Sequence, residues 1–183
     1  RVSSSAASDV YKRQVKGPSG VLNRNEQRKL IAEKVPEKRR ANFLNPKPIE
    51  IRDVDPPDLF NPEPTSDKNF LWFKVDGTLD AKDQWVHHCF LAYASDVSLL
   101  GSGNRPHGVS AYSGDVMLAS LDHAMWFHEK IDFNNWYLYE MDSPFSGAAR
   151  SLNRGKVFSQ DGTLVASVAQ EGLMRPLKQK PNT

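Results

Sequence analysis

The side chain of Gln170 carries the strongest chemical signal in this sequence, because it interrupts an apolar strand row. The pair Asp161-Gly162 predicts a hairpin turn, after which side chains alternate between two faces. One face then consists of Leu164, Ala166, Val168, Gln170, Gly172 and Met174. A buried amide without partners costs roughly 1 to 3 kcal/mol, so Gln170 indicates either a hydrogen-bond network or a reacting molecule.

Two further polar residues, Asp96 and Ser120, also interrupt apolar rows. On a predicted helix, Asp96 shares a row with Trp85, Cys89, Ala92 and Leu99. A carboxylate that burial partly desolvates is a stronger base, unless hydrogen-bond donors stabilise its charge. Ser120 shares a strand face with Val116 and Leu118. A plainer interpretation of each stays open, in which Asp96 lies at the edge of the apolar stripe and Ser120 only bonds the backbone.

The remaining histidines and acids form no convincing site. Asp122, His123 and His128 lack the spacing of a metal site and fall on both faces of a strand, so we predict neither a metal nor a cofactor. Ser120, Asp122 and His123 lie too close together on one strand to reproduce the geometry of a serine triad.

The composition is that of an ordinary globular protein whose charges nearly balance. Of its 183 residues, 39% are hydrophobic and 25% charged, and the net charge is +2. The charge balance argues against a nucleic-acid partner, and no apolar run reaches the roughly 18 to 20 residues of a membrane span. Cys89 is the only cysteine, which excludes an internal disulfide. Because Cys89 falls in the apolar helix face, we predict a core thiol rather than a nucleophile paired with His87 or His88.

The elements that must position these residues lie between residues 69 and 176. A strand over 70–75 is followed by a helix that begins near Asp80 or Asp83 and ends near Leu100. Four further strands are predicted over 116–120, 136–140, 149–158 and 164–174. A single long helix with a sheet after it is best buried if the sheet wraps round the helix, which predicts an α+β domain.

Residues 1–68 are rich in proline, lysine and arginine, and we predict mostly a poorly structured linker there. A short helix is predicted over 26–34, with Asn25 as its cap and Pro36 after it. Residues 1–14 look unlike the rest and are interpreted as appended sequence, and residues 177–183 as a tail.

Four motifs, in order, resemble the type II acyl-CoA thioesterases (TesB-like), in the C-terminal hotdog half of that family. The motifs are YASD at Tyr93–Asp96, ASLDHAMWFH at Ala119–His128, WYLYEMDSP at Trp136–Pro144 and RGKVFSQDGTLVASVAQEGLMR at Arg154–Arg175. The resemblance implies a hotdog fold, a long central helix wrapped by an antiparallel sheet, and hydrolysis of fatty acyl-CoA to free acid and coenzyme A. It also implies that Asp96, Ser120 and Gln170 hold the attacking water.

The resemblance also implies partners. Family members carry two hotdog halves, and this chain shows one half after what resembles the inter-half linker, so we expect a second hotdog unit, either a missing N-terminal half or a homodimer partner. The phosphates of coenzyme A favour basic side chains, for which Arg150 and Arg154 are candidates, although either also suits a plain surface position.

Two alternatives to hydrolysis stay open. A truncated half could serve as a non-catalytic module that binds acyl-CoA or pairs with a subunit. A hotdog hydratase acting on enoyl-CoA is disfavoured, because the helical part offers no Asp/His pair of that family. For location, the resemblance implies the peroxisomal matrix or the cytoplasm. The sequence shows neither a signal peptide nor a C-terminal Ser-Lys-Leu signal.

Overall fold

The computed structural model describes residues 15–177. The predicted appended segment 1–14 and nearly all of the predicted tail lie outside the described residues. The helices are α1 Arg24–Ile31, α2 Glu37–Leu44, α3 Gln84–Leu99 and α4 Gly101–Asn104. The strands are β1 Ile49–Asp53, β2 Asn69–Val75, β3 Val116–Ser120, β4 Ala124–Phe127, β5 Tyr137–Gly147, β6 Arg150–Ser159 and β7 Leu164–Pro176. Within this range, none of the helices has the length and apolar character that a membrane crossing requires.

One antiparallel sheet wraps α3. The strand order is β1-β2-β5-β6-β7-β3, and β4 pairs with another part of β7. Leu91, Ala94 and Leu99 of α3 pack in the same core as Phe73 of β2 and Tyr139 of β5. Burial of this apolar surface provides the main stabilisation of the fold. The predicted α+β architecture, a sheet round one long helix, is therefore confirmed.

The face of α3 that packs on the sheet differs from the predicted rows. The buried residues of α3 are His87, Leu91, Ala94, Ser95 and Leu99. Trp85 and Tyr93 of the predicted rows are 65% and 44% exposed, and Cys89 is exposed as well, so the prediction of a core thiol is wrong. Because apolar residues occur on several sides of this helix, the helical period alone could not identify the inward side.

Strand β1 lies within the segment that was predicted to be a poorly structured linker, so this part of the prediction is wrong. Ile49 and Ile51 are 2% and 4% exposed, and Ile51 pairs in register with Phe73 of β2. The sheet thus begins at residue 49 rather than near 69. The prolines that flank β1 disguised it, because a strand of five residues at a sheet edge needs only two inward side chains to be held.

The predicted first helix is present, with a different start. Asn23, and not Asn25, is its N-cap: the Asn23 side chain accepts a hydrogen bond from the backbone of the first turn, and Glu26 bonds back to Asn23. Pro36 is the N-cap residue of α2. The basic residues Lys38, Arg39 and Arg40 are therefore helical rather than part of an extended linker.

Candidate active site

The structure brings Asp96, Ser120 and Gln170 together at one carboxylate oxygen. The Gln170 Nε2 donates a hydrogen bond to Asp96 Oδ1 at 2.5 Å. The Ser120 hydroxyl donates to the same oxygen at 3.2 Å. Because an ionised carboxylate only accepts hydrogen bonds, this contact fixes the Gln170 amide with its nitrogen toward Asp96. Three polar groups from α3, β3 and β7 therefore form one cluster.

Gln170 lies on the inward face of β7, where the strand alternation predicts it. Its side chain is fully buried, and its carbonyl oxygen Oε1 has no hydrogen-bond partner among residues 15–177. Leaving such an acceptor unpaired is costly. Gln170 therefore carries a buried acceptor that none of the described residues satisfies.

Asp96 itself is open to solvent in this chain. Its side chain is 52% exposed, and Ser120 is also exposed. Of the two interpretations that the sequence left open for Asp96, the structure therefore favours the one at the edge of the apolar stripe. Asp96 lies at the edge of the inward face of α3, where its carboxylate accepts the hydrogen bonds of Gln170 and Ser120.

Gln170 is positioned by a second buried amide, Asn153 of β6. Asn153 is fully buried and pairs in register with Gln170 across the sheet. Its Nδ2 donates to the Gln170 backbone carbonyl at 3.4 Å, while its Oδ1 accepts the Gly103 N–H at 3.0 Å. A Cβ on Gly103 would lie 2.6 Å from the Cβ of Ser151, so glycine is what allows α4 to approach this closely.

Asn153 was not predicted to contribute to the site, although the sequence contains a signal for it. Ser151 and Asn153 alternate inward on β6 as Gln170 does on β7, and both are buried. A second polar residue in an inward row beside Gln170 indicates a buried network rather than a single anomaly.

A β-bulge between β3 and β4 shapes the other side of the site. β3 pairs with 172–176 of β7 and β4 pairs with 166–169, so the three residues 121–123 oppose only Gln170 and Glu171. The extra residue bends the strand locally and re-aims its side chains.

Asp122 and His123 have separate tasks within this bulge. The Asp122 carboxylate accepts the Glu171 backbone N–H at 2.7 Å, which replaces a ladder hydrogen bond. The His123 ring instead turns toward α3, with Nδ1 3.9 Å from Asp96 Oδ1. Across the described part of the chain, no three His, Cys, Asp or Glu side chains are grouped to hold a metal ion.

Arg150 and Arg154 are not brought to this cluster. Both lie on the face of β6 opposite Asn153, and Arg150 pairs with Glu171 at 3.5 Å. Arg154 makes two 2.9 Å hydrogen bonds to Asp142. Burial acts to raise the pKa of Asp142, but the bonds from Arg154 and Lys68 outweigh it and hold this pKa below its ordinary value. The contact of these two arginines with the phosphates of coenzyme A stays a prediction.

A cavity of about 390 Å³ adjoins Asp96. Its apolar lining includes Val97 of α3, Leu100 directly after it, Leu118 of β3 and Ile31 of α1. Charged side chains, among them Arg24, Arg28 and Asp53, line it as well, together with residues of the proline-rich segment 56–65. This volume is within the range of small-molecule sites, and the lining combines apolar with charged side chains. The segment expected to be plain linker thus helps to build the space beside the carboxylate.

Comparison with known proteins gives one consistent result. The family model described as "Acyl-CoA thioesterase" matches residues 43–173. Acyl-coenzyme A thioesterase 8 of Mus musculus is 41% identical over 128 residues, which are 70% of this chain and 39% of that protein. Acyl-CoA thioesterase 2 of Haemophilus influenzae is 32% identical over 163 residues, 88% of this chain and 56% of that protein.

Among solved structures, the acyl-CoA thioesterase II TesB2 from Mycobacterium marinum superposes with a TM-score of 0.61 at 37% identity. The match covers 81% of this chain and 55% of that one. The hotdog fold implied by the sequence motifs is thereby confirmed. The chain spans about half the length of the relatives it matches.

Proposed function

Since the chain belongs to the acyl-CoA thioesterase family, we propose that it hydrolyses fatty acyl-CoA through a water held by Asp96, Ser120 and Gln170. The observation that carries this proposal is the convergence of the Gln170 amide and the Ser120 hydroxyl on Asp96 Oδ1. Thioester hydrolysis needs a positioned water, a base for its proton and an environment that favours attack on the acyl carbon.

Each group has a definite task in this reaction. Asp96 takes a proton from the water, while the Gln170 Oε1, buried and without a protein partner among the described residues, accepts the water's other hydrogen. The Ser120 oxygen orients the same water, while the Ser120 hydroxyl hydrogen and the Gln170 nitrogen hold the carboxylate in place. The water oxygen bonds to the acyl carbon, the carbon–sulfur bond breaks, and coenzyme A leaves as a thiolate that solvent protonates. No covalent enzyme intermediate is needed.

We propose that the acyl chain occupies the cavity beside Asp96. Asp96 lines the cavity, and Ile31, Val97 and Leu118 give it apolar surface that suits a hydrocarbon chain, beside charged side chains such as Arg24 and Arg28. The acyl group would then place its thioester next to Asp96, the proposed base.

We also propose that a second hotdog unit covers the exposed side of α3. Trp85, Cys89, Tyr93 and Val97 repeat every four residues along that side and are exposed. Such an apolar stripe is typical of a surface that another protein covers. This cover would shield Asp96 and its bound water from bulk solvent. In the structure, the Asp96 side chain is 52% exposed.

A non-catalytic acyl-CoA-binding or subunit-pairing half is the second candidate. It is favoured by that same exposure of Asp96, because a solvated carboxylate is a weak base. Tight binding of palmitoyl-CoA without release of coenzyme A, by the chain alone and in complex with a second hotdog unit, would support it.

The proposed reaction is tested by release of free thiol from palmitoyl-CoA. We expect Asp96→Asn to lower kcat/KM by about 10²- to 10⁴-fold, the usual contribution of a general base. Gln170→Ala and Ser120→Ala should follow with smaller losses. Asp83→Asn, an exposed carboxylate at the start of the same helix, is the matched control and should leave the rate unchanged. Full activity in both Asp96→Asn and Gln170→Ala would refute the site.

A further inference from the structure

One of the arginines that line the cavity beside Asp96 has no counter-ion. The arginines in this lining are Arg24, Arg28 and Arg105. Arg24 pairs with both carboxylate oxygens of Asp53, and Arg105 pairs with Asp55 at 2.9 Å. Arg28, in contrast, pairs with none of the carboxylates that the structure describes. The cavity therefore contains a positive charge that residues 15–177 do not neutralise.

The unpaired part of Arg28 is the edge that Nε and Nη2 form. Arg24 binds Asp53 through this edge, and Arg154 binds Asp142 in the same way. In Arg28, Nε is buried without a hydrogen-bond partner, and Nη2 has no partner either among the described residues. The edge matches two oxygens of a carboxylate or a phosphate. A buried N–H group without an acceptor costs free energy, which an anion at this edge would recover.

Phe43 holds the side chain of Arg28 without neutralising it. Nη1 donates a hydrogen bond to the Phe43 carbonyl at 3.4 Å, and the guanidinium carbon lies 5.2 Å from the centre of the Phe43 ring. This cation–π contact positions a guanidinium and leaves its charge in place. Burial, and after it the charge of Arg24, lower the pKa of Arg28 below its ordinary value, and Tyr112 and Asp53 offset this only in part. A guanidinium stays protonated at neutral pH even so.

The other carboxylates in the lining are engaged elsewhere or exposed. Asp58 accepts two backbone N–H groups of its own turn. Glu63 is exposed, and Asp96 accepts the hydrogen bonds of the amide and the hydroxyl described above. An anionic ligand can therefore bind Arg28 without breaking an ion pair of the described residues.

We propose that Arg28 is an anion-binding residue of the substrate cavity and contacts a carboxylate or phosphate oxygen of the acyl-CoA. Two parts of that substrate can bring such an oxygen. If the acyl chain fills the cavity, the oxygen belongs to a carboxylate at the end of a dicarboxylic acyl chain. If coenzyme A fills the cavity instead, the oxygen belongs to a phosphate. The identity of the ligand rests on the proposed function, whereas the anion site itself does not.

The kinetic test compares Arg28→Gln with the wild type on matched thioesters. Hexanedioyl-, dodecanedioyl- and hexadecanedioyl-CoA are each measured beside the monocarboxylic thioester of the same length, and palmitoyl-N-acetylcysteamine stands for palmitoyl-CoA without its phosphates. Loss of a charge-assisted hydrogen bond should raise KM about tenfold or more. If the anion is a carboxylate, the increase is confined to dicarboxylic substrates. If it is a phosphate, the increase affects every coenzyme A thioester and spares the N-acetylcysteamine thioester.

Two further variants are the controls for this comparison. Arg28→Lys keeps the charge and should keep most of the affinity. Lys29→Gln removes one positive charge from an exposed position of the same helix and should keep the wild-type KM for every substrate. An equal change of KM for all substrates in Arg28→Gln, or no change, would overturn the proposal.

Calorimetric titration tests the anion site without turnover. The ligands are coenzyme A and the free hexanedioic, dodecanedioic and hexadecanedioic acids. We expect at least one of them to bind the wild type and Lys29→Gln about tenfold or more tightly than Arg28→Gln, with circular dichroism showing that all three proteins are folded. If this difference is found but no thioester is hydrolysed, the proposed function fails and the anion site stands. Equal binding of every ligand to the wild type and Arg28→Gln, or no binding to either, would contradict the site.

Discussion

The two sides of α3 differ in what they contact. On the inward side, Leu91 and Leu99 are fully buried against the sheet. On the outward side, Trp85 and Tyr93 are 65% and 44% exposed although both are large and aromatic. Within residues 15–177, one side of this helix is therefore buried by the sheet and the other is left exposed.

The candidate site lies where these two sides meet. Gln170 of β7, which contacts Asp96, lies on the buried inward side: it is fully buried and pairs in register with Asn153. Asp96 and Ser120 are exposed and belong to the uncovered side. On the proposed mechanism, the described residues orient Asp96, Ser120 and Gln170 by themselves, whereas the exclusion of bulk solvent would come from the proposed second hotdog unit.

Replacing matched residues on the two sides should give the largest difference. Leu91→Ala leaves a cavity in the core, and we expect the free energy of unfolding to fall by about 2 to 5 kcal/mol. Trp85→Ala removes an exposed side chain, and the change should stay within about 0.5 kcal/mol. Urea unfolding followed by circular dichroism measures both. Equal losses would show that the outward side is also held by the chain itself.

Charge on the outward stripe should weaken association rather than folding. We expect Tyr93→Glu to reduce self-association, or association with an added hotdog unit, by about tenfold or more, because a carboxylate loses solvation when the stripe is covered. The melting temperature of the isolated chain should be nearly unchanged. Analytical ultracentrifugation reports the association. Leu30→Glu, on an exposed position of α1, serves as control. Association of Tyr93→Glu at the wild-type strength would place the interface elsewhere.

Low pH should destabilise the folded chain through Asp142, with a smaller effect than that of Leu91→Ala. The pKa of Asp142 is lowered in the folded chain, so its ion pair stabilises the fold above the unfolded value of about 3.9. This stabilisation is lost as pH falls through the folded pKa. We expect Asp142→Asn to flatten the decrease in the free energy of unfolding below about pH 4, as measured by urea unfolding at several pH values. The difference should be less than about 1 kcal/mol, since Arg154 is 58% exposed. Asp80→Asn, an exposed carboxylate, should not flatten it.

Much of the inward side was predictable from sequence. Strand alternation places Gln170 on the buried face of β7, and the bounds predicted for β3 match the observed ones. These predictions succeed because they depend on local periodicity. The family motifs added the assignment of Asp96 and Ser120 to the same point.

The remaining features depend on non-local pairing, which local patterns do not report. β1 is held by its register with β2, and its neighbouring prolines suggested a linker. The bulge that directs His123 toward Asp96 appears only when β3 and β4 are aligned with β7. The inward side of α3 was misidentified because the helix is apolar on the uncovered side as well.

A single turnover in ¹⁸O-labelled water tests the central claim most directly. If a water held by Asp96, Ser120 and Gln170 attacks the thioester, the fatty acid released in the first turnover, with enzyme in excess over palmitoyl-CoA, carries one ¹⁸O atom from the solvent. If the first turnover instead yields unlabelled acid and the label enters the Asp96 carboxylate, that carboxylate has attacked the substrate itself, and the account of a held water is contradicted.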